Sequence, residues 1–527
     1  GVSLSESRLD ENLLYAGTDD GVISITENGG ESWRKVQSFP GVPEYTYVSD
    51  LMADRFDKNV VYATFDNRKR DDFKPYVLKS SDRGNSWISI TGNLPEYGTV
   101  HTIEQDTEVP GLLFVGTEFG FYFSLDGGDA WTKLTSGMPT ISVRDMTIQE
   151  RENDLVLATF GRGFYILDDY TPLRECAKEK EIMEKAAHVF PVADAMMYMQ
   201  TGGKYGQGSN FYSVKNPDFG ATFTYFLKEV PKTLKQERQE KEKKLFKEKQ
   251  PIPQPSREEL RLEEAQQDPQ LIFTVYDDNG YAIRKLAKKA SEGINRITWD
   301  LRYPSTRPVS TSSTGSAGRR GYSSSGSGLL AMPGTYSIGM DLLESGDVTA
   351  LVEPVPFIAT LLQHATLPVK DYQALVTFQN EVSELSRVMT GTQRMGQEQL
   401  GKLVTIKKAL VQTPGAEVEM SRRVLDLESQ LKDLLFTLEG PQAKASSEEL
   451  PPMEMPLNRR LSAMIRTHWS STSELTKTET DQLEILKEEF PPVLEKLERV
   501  VDEIRKIDSE LEELKAPWTP GRIPELD

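Results

Sequence analysis

Three observations predict a multidomain chain, mainly β, that ends in a helical region. A Ser/Thr-x-Asp/Asn-x-Gly-x-x-Trp frame occurs three times within the first 131 residues. Short runs alternating apolar and polar residues continue to about residue 360. From about Val369 the apolar residues recur at helical spacing instead. At 527 residues, 37% hydrophobic and 27% charged, the chain is globular and long enough for about three domains.

The frames read Thr26, Asn28, Gly30, Trp33; then Ser80, Asp82, Gly84, Trp87; then Ser124, Asp126, Gly128, Trp131. Around them, "VSDLMADRFDKNVVYATFDN", "VHTIEQDTEVPGLLFVGTEFG" and "VRDMTIQERENDLVLATFGRG" match one another, each as two alternating strands about a polar turn. Adding the strand before each frame and the strand carrying its Trp makes four strands per unit. The Trp-to-Trp steps are 54 (33 to 87) and 44 (87 to 131) residues, which suits four-stranded β-propeller blades. Physically, the Asp accepts backbone N–H bonds in a tight corner and Gly supplies positive φ. The Trp buries its ring between neighbouring hairpins. These nine box residues are therefore assigned a structural role.

About three and a half blades fit within residues 1–170. A propeller closes only as a complete ring of roughly four to eight blades. The missing blades are expected upstream of Gly1 or on another chain. "GVSLSESRLD" agrees, since it runs straight into "LLYAGTDDG" and lacks the basic start and apolar core of a signal peptide.

The frames are identified as Asp-box, or bacterial neuraminidase, repeats, found in sialidases, xyloglucan-degrading propellers and the sortilin ectodomain. "DLVLATFGRGFYILDD" (154–169) resembles the end of the propeller in bacterial exported sortilin-like repeat proteins. Those often have His before Gly-Arg-Gly, where this chain has Phe160. The resemblance implies a bacterial, exported protein: periplasmic, outer-membrane-associated or secreted.

Residues 171–360 are expected to form an immunoglobulin-like β-sandwich, from "HVFPVADAMMYM", "NPDFGATFTYFLKEV", "LIFTVYDDNGYAIRKL", "GINRITWDLRY" and "PGTYSIGMDLL". The Gly-x-Asn-x-x-x-Trp-Asp and Pro-Gly-Thr-Tyr elements resemble add-on sandwich modules of bacterial exported enzymes and flagellar hook-cap proteins. Two insertions interrupt it: a charged helical hairpin at 229–269, with a capping box at Ser256 and Glu259, and a Ser/Gly-rich loop at 305–328. Residues 361–527 are expected to be a helical bundle. Leu375, Phe378, Val382 and Leu385 share one face, as do Leu497, Val501, Ile504, Leu511 and Leu514. Pro491 and Pro492 interrupt a helix between Leu486 and Leu494.

The formal net charge of −19 argues against a nucleic-acid partner. Cys176 is the only cysteine and four histidines are scattered, so no disulfide, metal or cofactor is expected. No apolar run reaches the roughly 18 residues of a transmembrane segment.

Candidate ligand contacts come from the loops opposite the box corners, a face that also carries Asp19, Asp20 and Glu118: Arg68, Arg70 and Arg162, with Glu44, Tyr45, Glu96 and Tyr97 from two Pro-Glu-Tyr links. Arg144 joins them from an innermost strand. Asp50 and Asp145, on innermost strands of separate blades, are candidates by position alone for the two carboxylates that a glycosidase needs. A sialidase arginine triad cannot be assembled from repeat-equivalent positions, and no GxSxG, HExxH, phosphate-loop or CxxC pattern is present. The first expectation is a non-enzymatic scaffold that binds a protein, peptide or glycan within an assembly. The alternative is a sialidase-like or xyloglucanase-like glycoside hydrolase with part of its site in upstream blades.

Overall fold

A computed structural model describes residues 2–200, 214, 216–309, 327–362, 367–443 and 445–525. The centre of the predicted Ser/Gly-rich loop, with Arg319, Arg320 and Tyr322, lies outside the described residues. The chain forms two compact units: residues 1–191, 224–269 and 290–296, and residues 192–223, 270–289 and 297–527.

The first unit begins with antiparallel sheets wound in chain order. One holds β1 (Ser3–Ser7), β2 (Asp10–Gly17), β3 (Ile23–Thr26) and β4 (Arg34–Val36). The next holds β5 (Tyr47–Ala53), β6 (Val61–Asp66), β7 (Tyr76–Ser80) and β8 (Ile88–Ser89). A third holds β9 (Val100–Gln105), β10 (Leu113–Thr117), β11 (Gly120–Ser124) and β12 (Thr132–Lys133). The fourth has three strands, β13 (Val143–Gln149), β14 (Asp154–Thr159) and β15 (Gly163–Leu167).

Between third and fourth strands the repeated frame makes the same corner three times. In the second sheet, Gly84 N donates to Ser80 Oγ at 2.7 Å, while Ser80 Oγ and Ser86 N both donate to Asp82 Oδ1 at 2.8 Å. Ser124, Asp126, Gly128 and Ala130 repeat this, and in the first sheet Asn28 Oδ1 takes the carboxylate's place. The hydroxyl thus carries as much of the turn as the Asp. Glycine is required for contact as well as for φ: a Cβ on Gly84 would stand 2.5 Å from Ile25 Cδ1, in the sheet before. The indole of Trp131 donates to Ile90 O at 2.9 Å, again in the preceding sheet. Trp87 and Trp131 are buried as expected, but Trp33 is corrected: its ring is 43% exposed, because among the described residues no sheet precedes the first.

After β15, helix α1 (Thr171–Lys178) stands where the other sheets continue into a corner and fourth strand. Its Arg174 is buried, with Nε 2.6 Å from Asp106 Oδ1 and further bonds to Thr107, Glu108, Asn153 and Tyr170. Strand β16 (Ala187–Val189) pairs antiparallel with the end of a later strand at Phe226 and Leu227. The charged insertion is two helices, α2 (Leu234–Lys247) and α3 (Arg257–Ala265), and the Ser256–Glu259 capping box is formed.

The second unit contains a five-stranded sheet. Its strands are β17 (Ala195–Met197), β19 (Gln270–Tyr276), β20 (Ala282–Lys289), β24 (Gly334–Glu344) and β25 (Asp347–Leu361). They run in the order β17-β25-β24-β19-β20, with β17 parallel to β25 and the rest antiparallel. Strands β18 (Ala221–Leu227) and β21 (Gly293–Trp299) contribute residues to both units, while β22 (Arg302–Pro304) and β23 (Ser327–Leu330) belong to this one. Trp299, Tyr336 and Phe357 cluster in its core. Five helices follow: α4 (Tyr372–Gln412), α5 (Val418–Glu439), α6 (Leu457–Ser470), α7 (Lys477–Glu489) and α8 (Pro491–Glu513). The predicted stripes, Leu375 apart, lie in or pack against their common core, and the double proline separates α7 from α8.

Asp126→Ala should destabilise the first unit by about 1–3 kcal/mol, the usual cost of leaving turn donors without their acceptor. Chemical denaturation checks this. A midpoint equal to wild type would mean that the carboxylate does not hold the corner.

Candidate functional site

First strands of successive sheets lie side by side. Ala53 N donates to Ser5 Oγ at 2.8 Å, Ser49 Oγ to Val100 O at 2.9 Å, and Ile103 N to Asp50 Oδ2 at 3.0 Å. Their registers with the second strands match: Ser3 opposite Gly17, Asp50 opposite Thr64, Thr102 opposite Gly116, and Asp145 opposite Ala158. Three of these strands bulge at the residue just before that position, placing Ser49, His101 and Arg144 outside the regular ladder. A bulge re-aims the side chain of its extra residue.

Two of these re-aimed residues meet at the end of the sheets opposite the corners. Glu118, in the β10–β11 turn, accepts from His101 Nε2 at 2.8 Å, Arg68 Nη1 at 3.1 Å, and Arg144 Nη2 and Ser142 Oγ at 3.3 Å. Arg68 also reaches Asp66 Oδ2 through Nε at 3.2 Å. Arg144 Nη1 lies 3.4 Å from His101 Nδ1, and since guanidinium only donates, Nδ1 accepts and Nε2 carries the proton facing Glu118. Burial holds His101 below the usual imidazole range. Burial pushes Glu118 upward, but the bond from His101 and the charges of Arg144 and Arg68 outweigh it and hold the carboxyl low. With His101 neutral, two arginines balance two carboxylates.

Exposed aromatic rings stand on the loops at the same end. Phe160 is 72% exposed, with the Arg144 guanidinium 5.4 Å from its ring centroid. Tyr45, at φ 61°, a strained value for a bulky residue, lies 5.5 Å from Arg70, whose Nη1 donates to Glu44 O at 2.8 Å. Tyr97 and Phe119 are also exposed.

Of the residues singled out in the sequence, the structure brings Arg68 and Arg144 into one network. It groups Arg70 with Glu44 and Tyr45, and leaves Glu96, Tyr97 and Arg162 exposed outside both groups. His101 and Asp66 were missed. The signal for His101 was available: it follows Val100 as Ser49 follows Val48 and Arg144 follows Val143. Asp50 is half-buried and accepts from Leu51 N, Thr102 Oγ1 and Ile103 N. Burial pushes its pKa to about 6, over the opposing hydrogen bonds, and the charge of Asp145 adds to the rise. Asp145 is exposed and caps Met146 N. Among the described residues no His, Cys, Asp and Glu group could hold a metal ion, and no helix is long and apolar enough to cross a membrane.

Consecutive antiparallel sheets wound in strand order, first strands side by side, settle the architecture of this unit. It is built of β-propeller blades. No family model matches the chain. It is 30% identical over 149 residues to a xyloglucanase from Paenibacillus sp, covering 26% of this chain and 14% of that protein. It is 28% identical over 148 residues to vacuolar protein sorting/targeting protein 10 from Debaryomyces hansenii, covering 25% of this chain and 9% of that one. The chain therefore spans less than a fifth of the length of either. Among solved structures, YCF48 from Cyanidioschyzon merolae matches at 18% identity and a TM-score of 0.25, over 32% of this chain and 52% of that one.

Two titrations test this geometry. Between the lowered folded value of His101 and the ordinary value near 6.5, the unfolded chain binds a proton that the native chain does not. Stability from this group therefore rises with pH across that window and is lost as pH falls through it. Wild type should lose more stability between about pH 7 and pH 5 than His101→Gln, and identical losses would refute a neutral buried His101. Carboxyl NMR should find Asp50 titrating at about 6 and moving lower in Asp145→Asn. A midpoint indifferent to that substitution would separate the two carboxylates.

Proposed function

We propose that the chain is a non-enzymatic binding scaffold whose blade end around Glu118 takes a protein, peptide or glycan partner as part of an assembly. The observation that carries this reading is the contrast at that end. Its charges satisfy one another, while Tyr45, Tyr97, Phe119 and Phe160 stand exposed on its loops. Aromatic rings beside arginines are the composition of contact surfaces, and proton transfer would need a carboxylate free to act. We read the repeated corners as Asp boxes, the second unit's sheet region as an immunoglobulin-type module, and the protein as exported. The likeness to a protein named for sorting and targeting supports the binding reading.

A second reading rests on one observation. Asp50 titrates high and feels the charge of Asp145, and a carboxyl half protonated near pH 6 beside an exposed carboxylate suits an acid–base pair. The likeness to a xyloglucanase favours it. It makes the chain part of a glycoside hydrolase, with remaining site residues on further blades.

Binding of displayed peptides, sialosides and xyloglucan oligosaccharides to the intact chain tests the first reading. Tyr97→Ala and Arg162→Glu should each weaken a selected binder about tenfold, with an unchanged melting temperature and, for Arg162→Glu, an altered salt dependence. Arg68 is unsuitable for charge reversal, because it is tied to Glu118 and Asp66. Binders indifferent to both variants would refute the assignment of this surface. On sialosides, β-glucans and xyloglucan, no hydrolysis is expected. Turnover that vanishes in Asp50→Asn or Asp145→Asn would replace the first reading with the second.

A further inference from the structure

Helices α2 and α3 contain no buried residue, and polar contacts hold their hairpin together. Thr233 caps α2, Ser256 caps α3, and Leu234 N donates to Gln266 Oε1 at 2.8 Å. Arg238 spans the two helices. Its Nε and Nη2 lie 2.6 and 2.8 Å from the Glu263 carboxylate, and its Nη1 lies 2.6 Å from Glu242. Lys232 pairs with Glu240, and Arg261 with Glu258.

The tip of the hairpin has a different character. Residues 241–249 hold five lysines and two glutamates. Lys243, Lys244, Lys247 and Lys249 are exposed and, among the described residues, form no ion pair. Of the acidic groups beside them, Glu242 is tied to Arg238, Glu258 to Arg261 and Glu259 to the Ser256 cap, which leaves Glu248. A helix dipole favours cations in the last turn, and this accounts for lysines there. It does not account for Phe246, which stands 75% exposed between Lys243, one turn back, and Lys247. Ile252, in the turn to α3, is also exposed and sits between Pro251 and Pro253, whose fixed φ stiffens the turn. A helix that docks into a protein groove needs apolar anchors at helical spacing. The positions so related to Phe246 are Gln239, Glu242, Lys243, Lys249 and Gln250.

We propose that this tip, Phe246 and Ile252 among the lysines that end α2, is a contact site for a bilayer surface bearing anionic lipid headgroups. A fluid interface asks for no apolar stripe. It takes single apolar side chains below the headgroups while ammonium groups stay at the level of the phosphates, with their stems covering apolar surface. The formal charge of −19 on the whole chain opposes approach only within about a Debye length, roughly 8 Å at physiological ionic strength. The 14 residues of α2, at about 1.5 Å each, carry the tip about 21 Å from the start of the helix. Attraction at the tip is therefore local, and the contact is peripheral and reversible. This proposal is independent of what binds at the Glu118 end.

Co-sedimentation of the intact chain with vesicles tests it, using phosphatidylcholine alone and phosphatidylcholine mixed equally with phosphatidylglycerol. Binding is expected to the mixed vesicles only, and to weaken as salt is raised. Lys243→Glu combined with Lys247→Glu should lower partitioning roughly tenfold or more. Phe246→Ala should lower it about fivefold. Melting temperatures should stay at the wild-type value, since none of these side chains is buried or ion-paired. Lys408→Glu with Arg499→Glu, an equal charge change at exposed positions of the helical region, should leave partitioning unchanged. Equal binding to both kinds of vesicle, or none to the mixed ones, would overturn the proposal. So would a loss in the control pair as large as at the tip, or indifference to Phe246→Ala. Capture on soluble polyglutamate as strong as on the mixed vesicles would assign the tip to an acidic polypeptide instead, and would overturn it too.

Discussion

Each blade has two apolar faces, and the next blade's first strand must cover one of them. Ile23, Val77 and Phe121 become fully buried only in that way. The corner serves the same contact. Gly84 and Gly128 let their turns approach Ile25 and Ile90 of the preceding blade, where a Cβ would collide. Ser80 with Asp82, and Ser124 with Asp126, hold those turns closed through bonds to backbone N–H groups. Turn chemistry and inter-blade packing are therefore one constraint, and this is why the frame recurs intact while the strands around it vary.

From that packing the candidate site follows. Side-by-side first strands bring residues of different blades within bonding distance, and the repeated bulge decides which side chains turn toward the loop end. His101 and Arg144 arrive by this route, and Glu118 gathers them with Arg68. In this half-buried network every charge is matched, and a neutral His101 completes the balance of two arginines and two carboxylates. Asp50 is the exception. Its carboxyl keeps three hydrogen bonds and still titrates high, so burial costs more than those bonds return.

The Ser256 capping box, the hairpin after Tyr276 and the proline break before α8 were legible in the sequence. So were the four successive sheets and the apolar stripes of the helices. The loop end was legible as a place, through Arg68, Arg70, Glu44 and Tyr45, and His101 was legible only by aligning the bulge position across the repeats. Trp33 shows the same limit from the other direction: its frame matches Trp87 and Trp131, yet its ring is half-exposed.

Sequence alone determined what depends on neighbours a few residues away: strand alternation, turn hydrogen bonds, helix caps and the repeat itself. These are short-range interactions, and each leaves its residue types at fixed spacing. Tertiary structure alone decided the burial of Phe121 against the exposure of Phe164, and the meeting of Arg68, His101, Glu118 and Arg144. Arg68 and Glu118 are 50 residues apart, and Arg144 and His101 are 43. Such pairs depend on bulge register and on which blade stands next, and neither is encoded in any local window of the chain.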